Sequence, residues 1–471
     1  MKSFAIINLL SIIWIAITFI EYLWIDSMSL SNVKLTEFSV MLAINLILQM
    51  GTLYIKRVPL YSFFPVFIIF YYVFHFGQVF LIGFFPKYEM DYLNYVESYM
   101  TNDVYLRQTL VLCVMCINMF FIGGMLMKYK APRGYSITAS VNSKNIGKIL
   151  VFLFSPFRFV IDGVKIAAAM VGGYMAANTV MAAIPGVLAT LANIWYACIP
   201  LYYLELKTNK DKKRFLIIVL LYLLATMITG NRGHQMVCIV SLFIVVLIEQ
   251  RKLTAMQFVT YGIIAVLGMY FIDIIYDLRN MGVNAFLKDY MSTLEGTQNS
   301  NIILETLGTF GETVYTPYLV IEGYNSSFHP FFGECFLKSI VAVFPDVTGI
   351  FKNINNEAIF PKMLGTQSAI GGSFAGEMFY NFGPFYWLVS LLIGMLFFDV
   401  SNKITIEIRK GNYFKLLMLI PFAVLFVWWV RDAIGNFTRQ IVWLGIIIYL
   451  LKSKKLIVFN RLNLNKDSNG K

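Results

Sequence analysis

Apolar positions in this chain neither alternate nor recur every three or four residues; they come in unbroken blocks. Those over 4–25, 60–85, 108–127 and 256–275 are each near or above 20 residues, the length at which a helix crosses a hydrocarbon core of roughly 30 Å. With no water at that depth the backbone must bond to itself, so the blocks are helices. The pattern predicts twelve membrane helices, at about 3–25, 36–55, 60–85, 107–127, 147–172, 180–206, 214–230, 234–249, 255–276, 385–400, 414–431 and 438–452. The expected fold is therefore an all-α polytopic membrane protein with a large outer loop between the ninth and tenth helices. Its expected parts are a membrane domain over 1–276, the outer loop over 277–384, a second membrane part over 385–452 and a cytoplasmic tail over 453–471. The first block reads as a membrane helix, since it is long, contains Glu21 and is followed by no small-residue cleavage site.

Composition agrees: 58% of the 471 residues are hydrophobic and 14% charged, where a soluble domain carries about 25% charged. The net charge of +12 raises the question of a nucleic-acid partner, and its distribution answers it. Of the 38 basic residues, 25 fall in the termini and alternate connections, in runs such as Lys56-Arg57, Lys212-Lys213-Arg214 and Arg251-Lys252. With twelve helices all of these share one side, which the positive-inside rule makes the cytoplasm, with both termini there. The charge is thus a topology signal. It also divides residues 214–250 into two short helices, because one long helix would carry Arg251-Lys252 to the wrong face. The turn Thr229-Gly230-Asn231-Arg232-Gly233 then sits at the outer side. Each arm has only about 15 residues, or about 22 Å at 1.5 Å per residue, so the turn is sunk below the surface.

The thirteen remaining basic residues include six arginines. Arg232, Arg279, Arg431 and Arg439 lie at or just beyond outer helix ends, and a guanidinium is a permanently charged, planar fork suited to phosphate oxygens. Together they would suit a lipid pyrophosphate; the alternative is headgroup snorkelling with pairing to Asp277 or Asp432. Arg232 stands out because Gly230 and Gly233 flank it, with Asn231 beside it in the sunken turn. Arg158, Asp162 and Lys165 share one face of the fifth helix, either to bind the same pyrophosphate or as a neutralised packing cluster. Glu377, in Gly371-Gly-Ser-Phe-Ala-Gly-Glu377 ahead of the tenth helix, is a candidate general base or an ion-pair partner for an arginine. The three histidines lack metal spacing, Cys113-x-x-Cys116 lies in an apolar helix without a second pair, and no Asp-x-Asp occurs. Neither a metal nor another cofactor is expected.

The Thr-Gly-Asn-Arg-Gly turn, the late outer loop, the Gly-x-x-x-x-Glu segment and the Arg431-Asp432 … Arg439-Gln-x-x-Trp443 run resemble the Wzy-type O-antigen polymerases, over about residue 145 to the end. The resemblance implies an architecture related to the GT-C-like polymerases and ligases, and a reaction at the periplasmic face of the bacterial inner membrane. There a glycan on undecaprenyl pyrophosphate is transferred to the terminal sugar of a new lipid-linked repeat unit. In that reaction Glu377 would serve as base, and Arg232 and Arg279, with Arg431 and Arg439, would hold the leaving pyrophosphate. Tyr315, Tyr318, Tyr324 and Phe328 would stack on sugar. A flippase and a chain-length regulator would be partners, beside membrane lipid. The rival readings are a ligase that moves finished glycan, and a transporter such as the flippase. Transporters usually carry internal repeats, and none is visible here.

Overall fold

The computed structural model describes residues 2–27, 32–88, 95–130, 145–227, 233–250, 301–326, 332–341, 343, 371–411 and 413–453. Among these there is no strand. The helices are α1 (Lys2–Ser27), α2 (Asn32–Ile55), α3 (Phe63–Phe84), the single turn α4 (Tyr95–Ser98), α5 (Asp103–Leu126), α6 (Ile146–Ala183), α7 (Gly186–Glu205), α8 (Asn209–Met227) and α9 (Gly233–Gln250). They continue with α10 (Ile302–Gly311), α11 (Tyr315–Ser326), α12 (Glu334–Val341), α13 (Phe374–Phe382), α14 (Tyr386–Lys410), α15 (Tyr413–Trp428) and α16 (Ile434–Ser453). Eight spans among the described residues are long and apolar enough to cross a membrane.

Several helices differ from the expected boundaries; α2, α5 and α8 begin four or five residues early, at Asn32, Asp103 and Asn209. The break expected at 173–179 is absent: α6 runs to Ala183, since its alanine-rich stretch favours helix, and Pro185 then caps α7. α14 continues to Lys410 rather than stopping near 400, ending at the left-handed Gly411. α16 starts at Ile434, four residues early. The expected ninth span, 255–276, lies outside the described residues.

The expected hairpin at 214–250 is present as α8 and α9. Lys212 in the first turn of α8 pairs with Glu249 at the end of α9, which an antiparallel pair allows and a single helix forbids. At the same, lysine-rich end of the bundle, the Glu205 carboxylate accepts from the Gly147 and Lys148 amides (2.7 and 3.0 Å). There too Lys56 donates to the carbonyls of Gly124, Met125 and Met127 at the end of α5. A cation satisfies the orphan carbonyls of a helix C-terminus and complements its dipole.

α5 and α14 form the spine. A Cβ on Gly123 would fall 2.0 Å from the Leu391 carbonyl oxygen, and one on Gly394 would fall 2.0 Å from that of Phe120. Small residues let membrane helices approach this closely. Gly123→Val should therefore lower stability by about 3 kcal/mol, read as a fall in the unfolding midpoint of the purified protein in detergent; an unchanged midpoint would contradict this packing.

Depth is the property of the fold that matters most for function. The ring of Phe374, at the start of α13, lies 5.6 Å from Phe67 and 6.0 Å from Phe120. These belong to the first turns of α3 and the last third of α5, so α13 begins far inside the bundle. It then climbs outward, where Phe379 meets Tyr324 and Phe382 meets Phe336, reverses at Gly383 (φ 50°) and feeds α14. α15 and α16 make a second short hairpin, whose turn at Trp429–Arg431 packs on Phe374. The start of α9 adjoins it, since Gly233 lies flat under Trp428. Three chain reversals thus meet below the outer ends of α3 and α5. The outer helices α10, α11 and α12 pack on α3, α5 and α16 and wall this depression.

Candidate functional site

The turn between α15 and α16 separates two polar clusters, one on each side. On one side lies Glu377, 4% exposed. Its carboxylate accepts from the Trp429 indole N–H (2.6 Å) and from the Ile434 amide (3.0 and 3.1 Å to its two oxygens). It sits at the N-terminus of α16, where unsatisfied amides and the helix dipole favour a negative charge. Asp432 adds a second acceptor there, for the Ala433 amide and the Asn436 side chain. Both oxygens of Glu377 therefore face the protein.

The segment 371–373 lies on this turn. A Cβ on Gly372 would come 2.4 Å from the Asp432 carbonyl carbon, so only glycine lets the two strands of chain touch. Gly371 accepts from the Thr316 hydroxyl at 2.9 Å. Ser373 caps α13 and meets His75 Nε2 at 2.8 Å. His75 also contacts the Tyr71 carbonyl at 3.2 Å, so both its nitrogens are engaged and it is a structural residue.

Arg431 projects from the same turn. Its guanidinium lies 3.9 Å from Glu312 and 5.8 Å over the Phe74 ring, with the side chain 33% exposed. A long, half-exposed ion pair leaves most of its five donors open to an anion. Arg439 is half-buried in the second turn of α16.

On the other side of the turn, α6 carries the charged face expected from sequence. Arg158 grips Asp162 with two nitrogens, one at 2.7 Å, and donates its third to Asn193 at 3.2 Å. It lies 4.9 Å over the Tyr196 ring, while the Tyr222 hydroxyl also donates to Asp162. Lys165, one helical turn further on, is 4% exposed and has no hydrogen bond or ion pair among the described residues. Since Arg158 and Asp162 cancel, Lys165 supplies the net positive charge. His234 and Trp428, half-buried, close the cluster with ring centroids 4.8 Å apart.

Trp428 and Arg431 stand three residues apart, so one turn of chain connects the two clusters. Of the residues expected at the site, the fold gathers Glu377, Arg431, Arg158 and Lys165 around that turn. Asn231, Arg232 and Arg279 lie outside the described residues, although Arg232 directly precedes Gly233 beside Trp428. Trp428, Trp429 and Glu312 are additions. Their signal in the sequence is weak, because a tryptophan pair at a helix end also reads as an interfacial anchor.

Above Glu312, Tyr315 is surrounded by Tyr95, Tyr99 and Tyr318, with centroids at 5.0, 5.9 and 6.1 Å. Tyr318 is buried and its hydroxyl accepts from the Asn102 amide, whereas Tyr99 is exposed. Burial pushes the phenols of Tyr315 and Tyr318 above their ordinary pKa, so they remain neutral. Of the other residues expected to stack, Tyr324 is half-buried against Phe379, and Phe328 lies outside the described residues.

A family model described as O-antigen polysaccharide polymerase Wzy matches residues 6–459, nearly the whole chain. No curated protein and no solved structure matches it.

Proposed function

Since the chain belongs to the O-antigen polysaccharide polymerase Wzy family, we propose that it extends surface polysaccharide by moving a glycan from undecaprenyl pyrophosphate onto the terminal sugar of a lipid-linked repeat unit. The transfer takes place at the periplasmic face of the inner membrane. A twelve-span topology with both termini cytoplasmic, and the 277–384 segment on the outer side with α13 dipping back into the bundle, fits that placement.

The observation that carries the reading is a set of cationic groups around one sunken turn: Lys165 and Arg158 on one side, Arg431 on the other. A leaving pyrophosphate develops negative charge, and fixed cations in a water-poor site stabilise it strongly. Lys165 takes the phosphate directly. Arg158 frames it, with Asp162 and Asn193 fixing the guanidinium. Arg431 contributes from the opposite side, and Asn231, Arg232, Arg279 and Arg439 are the further phosphate-binding residues of this reading. The pyrophosphate linkage already holds the energy of transfer, so neither a metal nor another cofactor is required. In place of the proton acceptor expected from sequence, Glu377 positions the reaction: it ties Trp429 and Ile434 together and so aims Arg431. The tyrosines around Tyr315 offer the acceptor glycan a stacking surface, and a flippase and a chain-length regulator complete the assembly.

The reading is tested with purified protein in detergent and synthetic lipid-linked repeats. Chain growth without a sealed compartment is expected. Transfer to another lipid with no chain growth would identify a ligase instead, and no transfer at all would contradict the reading.

A further inference from the structure

We propose that His234 is the catalytic residue that takes the proton from the attacking sugar hydroxyl. The inference rests on the polymerase reading above and adds a residue that neither sequence motif nor family description assigns to the reaction.

Attack requires a group that is not already committed to a partner in the protein and can accept a proton. Around the sunken turn most titratable groups are committed. Glu377 spends both oxygens on Trp429 and Ile434. Asp162 is shared by Arg158 and Tyr222, Asp432 caps α16, and His75 is held at both nitrogens. His234 differs. Its ring is set by Trp428 at 4.8 Å and by Tyr196 at 5.9 Å, yet its Nε2 has no hydrogen-bond partner among the described residues. The adjacent Trp428 Nε1 and Gln235 Oε1 are unpartnered in the same sense. Native proteins rarely leave such atoms unmatched, and three together, beside a buried lysine without a hydrogen bond among the described residues, mark a place where a polar ligand belongs. A sugar supplies both donors and acceptors, and its phosphate supplies the anion. Arg158 lies 4.9 Å over the Tyr196 ring, which in turn stacks 5.9 Å from His234, so base and leaving-group cations share one locality.

The balance of the step is simple. The acceptor hydroxyl gives its proton to an imidazole nitrogen as its oxygen bonds to the anomeric carbon. The bond from that carbon to the pyrophosphate oxygen breaks, and its electron pair stays on the pyrophosphate, next to Lys165. The imidazolium then returns its proton to the departing pyrophosphate or to water.

The test uses the full chain in detergent, lipid-linked repeats as substrate and undecaprenyl pyrophosphate as binding probe. Relative to wild type, His234→Ala is expected to slow extension by about 100-fold or more, the scale of general-base catalysis. Probe affinity should stay within about threefold, and added imidazole should restore about tenfold of the lost rate. Extension near the wild-type rate overturns the proposal, as does a slowed variant that imidazole does not rescue, because a packing residue would behave that way. If His234→Ala does not fold, His234→Gln carries the rate comparison: loss supports the proposal, retention overturns it. Wild-type protein that fails to extend at all overturns the polymerase reading itself, and this inference with it.

Discussion

Replacing Glu377 with alanine should remove polysaccharide chains longer than one repeat from the cell surface. The cause is mechanical rather than a lost proton acceptor. Without the carboxylate, the Trp429 indole and the Ile434 amide become buried donors with no acceptor, at about 1–3 kcal/mol each. Relaxing that strain means moving the turn that carries Arg431, and a shift of about 1 Å in a positioning group can cost about 100-fold in rate. Glu377→Gln separates the two explanations. An amide keeps an acceptor oxygen for one of the donors, so a positioning role predicts shortened but visible ladders and a thermal midpoint between wild type and Glu377→Ala. Equal, complete loss in both variants, with unchanged midpoints, would restore the carboxylate as the base. Normal ladders in Glu377→Ala would remove it from the site altogether.

Arg158→Ala carries the second large effect. It strands Asp162, 3% exposed, without its bidentate partner, and breaking a buried ion pair from one side costs about 3–5 kcal/mol. Both stability in detergent and chain length should fall steeply. Adding Asp162→Asn removes the stranded charge, so stability should recover substantially in the double variant; neighbouring sites couple in this way. Polymerisation should not recover, because the guanidinium that frames the phosphate is still missing. Full recovery of both in the double variant would reduce Arg158 and Asp162 to a packing pair.

The apolar blocks announced most of the membrane helices, because crossing lipid leaves the backbone few options. The hairpin at 214–250 was legible for another reason: Arg251-Lys252 needed a side, and the Lys212–Glu249 link matches that choice. The α6 charges were legible as one face, since helical spacing alone sets it. What the sequence could not reveal was direction and partnership. Glu377 lies on a nine-residue helix, where the phase that turns it inward comes from the packing of Phe374 against α3 and α5. Arg431 meets Glu312 only because the outer segment folds back onto α3. The length of α14 was hidden as well, since a helix leaving the membrane loses its apolar signal without losing its hydrogen bonds.

The two short hairpins stop well below the outer ends of α3 and α5. On the proposed reaction, this lets each carrier keep its hydrocarbon tail in lipid throughout the cycle. Spent carrier can slide out sideways and a fresh one slide in, while the sugar rises through the depression toward water. Each new unit is then inserted at the root of the polymer, as hair grows, and the oldest sugar is always the one farthest from the cell.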